Sequence, residues 1–297
     1  MVGTLEVFRK EMADHLSSYR LYIITFLVYI IGFSMSFSSI SSIRLQLKRT
    51  LGESVFLKVY SLQTGLIPSF LGFIAYFGPL ISLILVFDAI NRETSQGTMG
   101  LLVSQPIHRD SIINGKFSAT SATVAILLMG VFGIITGFTV MTLGTLPTME
   151  EALRITVFYF VSVIYLSFWI GLGLLYSIVF EREGTSALAS IATWIFFNVF
   201  VYMIADIVKS TGGSSQSLLL FTPTHIYTQA SSVIMIPNMR LLGPISYERV
   251  VGMLPTPLSF TQSILLIWPH LTTLTAAMML IFTVSYLLFV KREIRST

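Results

Sequence analysis

The side chains that could do chemistry are few and lie far apart in the sequence. Glu150, Glu151 and Arg154 bring two carboxylates and a cation within one helical turn, the minimum for general acid–base work on a polar bond. Four histidines stand at 15, 108, 225 and 270, none paired at the i, i+4 spacing that puts two imidazoles on one metal, and no H-E-x-x-H is present. There is no cysteine, which excludes disulfides, thiolate metal sites and a cysteine nucleophile. Gly115-Lys116 resembles the end of a phosphate-binding loop, but Phe117 stands where Ser or Thr is needed and Asp110 where the first glycine is needed. The chain thus carries no nucleotide site of that kind and no cofactor site.

The elements that must position these residues follow from composition. Of 297 residues, 54% are hydrophobic and only 11% charged, against about 25% charged in a soluble domain. Phenylalanine, at 23, outnumbers the 14 acids. An ordinary soluble globule, a disordered chain and a nucleic-acid binder are all excluded.

About 20 apolar residues cross a bilayer as a helix, and six stretches meet that test, at 21–38, 66–90, 117–143, 155–180, 185–208 and 264–290. They are too continuous for the alternating strands of a barrel, and no repeat or separate soluble domain is visible. The expected fold is therefore an all-α polytopic membrane protein forming a single transmembrane domain. With both termini inside, Arg9, Lys10, Arg20, Arg92, Arg109, Lys116, Arg182 and Lys291 fall on short inside segments, giving these the higher basic density. The loop after span 1, with Arg44, Lys48, Arg49 and Lys58, runs against that trend.

Residues 1–20 read as an amphipathic interface helix. Leu5, Phe8, Met12, Leu16 and Tyr19 recur at three- and four-residue intervals along one face, while Glu6, Arg9, Lys10 and Asp14 lie away from it. Residues 91–116 form an inside loop. Asp88 and Arg92 can pair across one turn as span 2 ends. Gly97 interrupts the polar run, and an apolar stretch, Met99 to Val103, stops before Pro106. Ionisable groups inside the spans are nearly absent, which argues against proton or sodium coupling. Asn198 sits alone in span 5, where it can bond a neighbouring helix or line a path. The long outer segment, 209–263, is too polar around Leu218–Pro237 for a full span and suits short helices dipping into the outer leaflet.

The order Glu93, Gly97-Thr98, Leu101-Leu102, Ser104, Pro106, Arg109, Gly115-Lys116 resembles the loop after the second span of type-2 ABC transporter permeases. An N-terminal amphipathic helix, six spans and a long outer loop before the last span extend the likeness loosely to the whole chain. The resemblance implies a permease subunit that exports a substrate across a prokaryotic cytoplasmic membrane as a multi-pass protein. Its partners would be a separate ATPase subunit carrying ATP and Mg, a second copy or homologous permease, and membrane lipid. The coupling helix in the loop (Glu93, Gly97, Thr98, Leu101, Leu102, Pro106, Arg109) would dock the ATPase, and Glu181, Arg182 and Glu183 would form a smaller contact. The competing readings are an ATPase-independent channel or secondary carrier, and an intramembrane enzyme. Glu150, Glu151 and Arg154 fall one residue short of the E-E-x-x-x-R of membrane prenyl-protein endopeptidases, and that residue rotates the arginine about 100° around a helix.

Overall fold

Apolar runs of this length satisfy their backbone in lipid only as helices. In the computed structural model every regular element among the described residues (2–46, 54–65, 67–97, 108–212, 216–237 and 258–291) is helical. In chain order these are α1 (Val2–Leu16), α2 (Tyr19–Gln46), α3 (Val55–Ser61), α4 (Phe70–Val86), α5 (Asn91–Ser95), α6 (Arg109–Leu143), α7 (Met149–Val179) and α8 (Glu183–Ile195). A π-helical turn at Phe196–Phe200 joins α8 to α9 (Val201–Ser210), followed by α10 (Gln216–Leu219), α11 (Pro223–Met235) and α12 (Phe260–Lys291). Among the described residues, six helices are long and apolar enough to cross a membrane: Tyr19–Arg44, Phe70–Ser95, Arg109–Leu143, Met149–Val179, Glu183–Ser210 and Phe260–Lys291.

The helices run past the apolar cores that the sequence marks, and local chemistry explains how. The serine-rich end of α2 stays helical because Ser34 and Ser41 donate to the carbonyls of Ile30 and Phe37, both at 2.8 Å. At the start of α7, Thr148 and Glu151 form a reciprocal capping box, so the helix opens six residues ahead of Ile155. Among its described residues, the outer segment holds two short helices, α10 and α11.

The core is organised around α7. Phe158, Tyr165 and Trp169 are fully buried along it, and α4, α6, α11 and α12 pack on it. The close approach of α4 depends on small residues. A Cβ on Gly173 would lie 2.5 Å from Val86 Cγ1, and one on Gly78 would lie 2.7 Å from Leu166 Cδ2. On the rim, α2 presents Phe26, Leu27 and Phe33 outward, and α8–α9 present Leu188, Phe200 and Ile207, an apolar exterior suited to lipid.

The bundle has two distinct ends. At one, α1 crosses the start of α6 beside the ends of α4 and α7. At the other, α3 and α11 pack beside the start of α7, where Tyr60 donates to the Phe132 carbonyl at 3.0 Å. We expect Gly173→Val to cost about 1–3 kcal/mol by overpacking, read as a lowered Tm in detergent. Gly133→Ala, whose Cβ would meet nothing within 4 Å, should leave the Tm unchanged or raise it.

Candidate functional site: an ion cluster beside the spans 2–3 loop

Lys116 lies on the second turn of α6 and is almost completely buried, its side chain 2% exposed. A buried ammonium persists only with close anionic partners, and two are supplied from different elements. Glu11 of α1 lies 2.8 Å away and Glu93 of α5 lies 2.9 Å away. Lys10 also reaches both carboxylates, at 2.9 Å and 3.0 Å, so two cations face two anions. Gly115 makes the geometry possible. A Cβ there would lie 2.6 Å from Val7 Cγ1 and 3.2 Å from the Phe8 backbone nitrogen, so only glycine lets α1 come this close.

A second ion group joins the α1–α2 bend to α4. Arg20 donates to both oxygens of Asp88, at 3.0 Å and 2.8 Å, and to the Ile84 carbonyl at 3.1 Å, with its guanidinium over the Phe87 ring. Arg92 approaches Asp88 only to 3.9 Å, so the pairing expected within one turn is secondary to the one with Arg20. The turn into α5 is pinned to α7 by Ser177 Oγ, which accepts from the amides of Ile90 and Asn91. The start of α8 is fixed beside it, where Ser186 donates to the Phe87 carbonyl at 2.7 Å. Between α1 and the α4–α5 corner a polar groove of about 1060 Å³ remains, lined by Asp14, His15, Arg20, Asp88 and Glu93 among others.

The expected site residues divide accordingly. Glu93 is part of the cluster. Gly97 adopts φ +71°, a left-handed conformation suited to glycine. Thr98, Leu101, Leu102, Pro106 and the expected coupling helix lie outside the described residues. Arg109 is the first residue of α6, and Glu183 opens α8 with Arg182 as its N-cap and Glu181 exposed just before. The Ser186 bond places this second segment at the same end as Glu93. Asn198 is not there. It sits buried in the π-helical turn, donating to the Trp194 carbonyl at 3.0 Å and accepting from Thr224 at 2.8 Å.

Glu150, Glu151 and Arg154 lie at the opposite end, fully engaged in structure. Arg154 binds Glu150, Ser263 and the carbonyls of Ile234 and Leu258. Glu151 accepts from the backbone of Phe56 and Thr148. Sequence reasoning passed over Glu11 and took Lys10, Arg20 and Lys116 as separate basic residues rather than as members of ion groups. The available signal was Glu11 at the i+4 position from Val7, and a lysine directly after a glycine at the mouth of an apolar run.

The family model of the ABC-2 family transporter protein matches residues 5–294. The chain belongs to the ABC-2 transporter family. Two relatives described as probable ABC transporter permease protein NosY are each 30% identical to it, one from Pseudomonas aeruginosa over 158 residues and one from Stutzerimonas stutzeri over 161 residues. Each match covers 50% of this chain and 56% of the relative, so the chain spans about half the length of the curated relatives it matches. In this ABC-2 chain, the Gly-Lys pair that closes the loop pattern is thus a packing and ion-pairing device for α1.

Acid should loosen that device in two steps. Burial alone would raise the Glu11 carboxyl, but Lys116 and Lys10 outweigh it and hold it below its ordinary value of 4.5. Its contribution is present above about pH 4.5 and is lost as pH falls through the lowered value. Burial also lowers His15, 3.1 Å from Thr120, below 6.5, so protonation favours the undocked helix as pH drops below that value. Lys10 moves the other way. Burial would lower it, but contacts with Glu11 and Glu93 raise it above 10.5, so its contribution lasts until pH climbs through that raised value. A spin label at Ala13→Cys should therefore be ordered at neutral pH and gain mobility below about pH 6.5, then again below about pH 4.5. Lys116→Met should cost the docked state about 3–5 kcal/mol and leave the label mobile throughout.

Proposed function

We propose that this chain is the membrane-spanning permease subunit of an ABC transporter. A separate ATPase subunit, carrying ATP and Mg, docks on the loop from Glu93 to Arg109 and more weakly on Glu181, Arg182 and Glu183. Two permeases, identical or homologous, form the path in a prokaryotic cytoplasmic membrane with the N- and C-termini inside, and ATP-driven closure of the ATPases exports the substrate. One observation carries this reading. Glu93, where the loop leaves α5, is tied by ions to both α1 and α6, so force on the loop reaches three helices at once. The clustering of Arg9, Lys10, Arg20, Arg92 and Arg109 at this end supports placing it inside.

The chain tagged in its native membrane should co-purify with a P-loop ATPase. Arg109→Ala or Leu101→Ala should reduce the captured ATPase or the coupled transport about tenfold, the scale of losing one interface anchor. Recovery of the chain without any ATP-hydrolysing protein, with transport indifferent to ATP depletion, would reject the proposal in favour of a channel or secondary carrier.

A further inference from the structure

Helix α11 is anchored in the bundle by its first turns. Thr222, Thr224 and Tyr227 are fully buried. Thr224 donates to Asn198, and its hydroxyl lies 2.9 Å from that of Tyr165. Tyr227 stacks on Tyr165 at 4.3 Å and lies 2.9 Å from Ser162. Toward α12 the helix is fastened differently. His225 and Gln229, one turn apart, line up with His270 of α12. The Gln229 amide nitrogen is 2.9 Å from His225 Nε2, and its amide oxygen is 3.1 Å from His270 Nε2.

The chemistry of that line is restrictive. An amide offers a donor at one end and an acceptor at the other. Two neutral imidazoles flanking it are satisfied, one accepting and one donating. One imidazolium is also satisfied, after a flip of the amide if needed, because the remaining neutral ring can accept. Two imidazoliums are not, since both rings then donate toward an amide with a single acceptor end. The second proton must break the line. We propose that His225, Gln229 and His270 form an acid-released latch that holds α11 on α12 at the end of the bundle away from the ATPase loop, and that opens when both histidines are protonated.

The surroundings leave this switch to the two histidines. Tyr202 of α9 faces the His225 ring at 6.5 Å, with Tyr76 of α4 behind it. From α7, Arg154 and Glu150 face this region but pair with one another, and Arg154 is also spent on Ile234 and Ser263. From α3 come Lys58 and Tyr60, and Tyr60 bonds to Thr136. Burial and the facing His270 lower the pKa of His225 below 6.5, so the latch is complete above about pH 6.5 and is lost as pH falls. Opening frees the middle of α11 from α12, while its first turns remain held by Asn198 and Tyr165 and its last turn by Arg154 on the Ile234 carbonyl.

The absence of native cysteine makes the test direct. Spin labels at Thr228→Cys, beside Gln229 in the middle of α11, and at Thr272→Cys in the full chain in lipid nanodiscs report the α11–α12 separation by pulsed EPR. Between about pH 8 and about pH 5 the short-distance population of the native latch should be lost and should return on neutralisation. In a His225→Gln/His270→Gln variant the distribution should not respond to pH. In Gln229→Met the longer distance should already be present at about pH 8. A native distance that does not move over this range, or a shift that persists in the double variant, would overturn the latch. The native titration decides the matter even if a variant fails to fold.

Discussion

The structure at the loop end depends on one demand, that the Lys116 ammonium be neutralised where water cannot reach it. The residue occupies the second turn of α6, beneath the close crossing of α1 at Gly115, so its charge is met from the side. Two carboxylates must therefore come to it, and they arrive from α1 and α5, sequence neighbourhoods far apart. Their arrival fixes the path of the chain before span 1 and the exit from span 2. Replacing such a cluster with apolar side chains could be as stable. What the ions supply in addition is a single register, because α1 cannot slide by one residue without leaving a charge buried and unpaired.

That demand also gives the loop its mechanical character. Its entry is held three ways: by Glu93 in the cluster, by Ser177 under the backbone of Ile90 and Asn91, and by Arg20 on Asp88 just before. Its exit is the first turn of α6, the helix that carries Lys116. A loop sprung between two soft ends would absorb a push. One whose ends share an ion cluster passes the push to α1, α6 and the end of α7 together. A transporter powered from outside its own chain requires this property.

The six spans were legible in the residues, since they rest on run length, which leaves little choice. The N-terminal helix was legible as a helix, and Leu5, Leu16 and Tyr19 do point outward. What the pattern hid was the opposite face. In water a polar face meets solvent, and Lys10 reads as solvated. Beside a membrane the lipid takes the apolar stripe, and the face of Val7 and Glu11 is the one left to pack on protein, so Glu11 turns inward and Lys10 reaches it from the exposed rim. The site was half legible for the same reason. Glu93 and Gly115-Lys116 stood out as members of a pattern, but that they touch depends on a long-range approach of α1 that no local spacing encodes.

The two ends of the bundle solve the buried-cation problem in different ways, and the difference bears on which end can move. Arg154 spends much of its guanidinium on backbone carbonyls, those of Ile234 and Leu258. Ile234 lies in the last turn of α11, where carbonyls have no partner within the helix, and Leu258 lies just ahead of α12, so the contact cannot be exchanged without orphaning peptide groups. Lys116 and Lys10 instead share the same two carboxylates, so each ion has a second partner within reach if one helix shifts. An arrangement of interchangeable side-chain partners tolerates small displacements, whereas one built on fixed carbonyls resists them. Motion introduced at the loop end would then carry α1, α5 and α6 together, the ions exchanging partners without any being left bare, while the anchor at Arg154 stays in place. At the far end, the stretch free to respond is the middle of α11 along its border with α12, between the hold of Asn198 and Tyr165 on its first turns and that of Arg154 on its last.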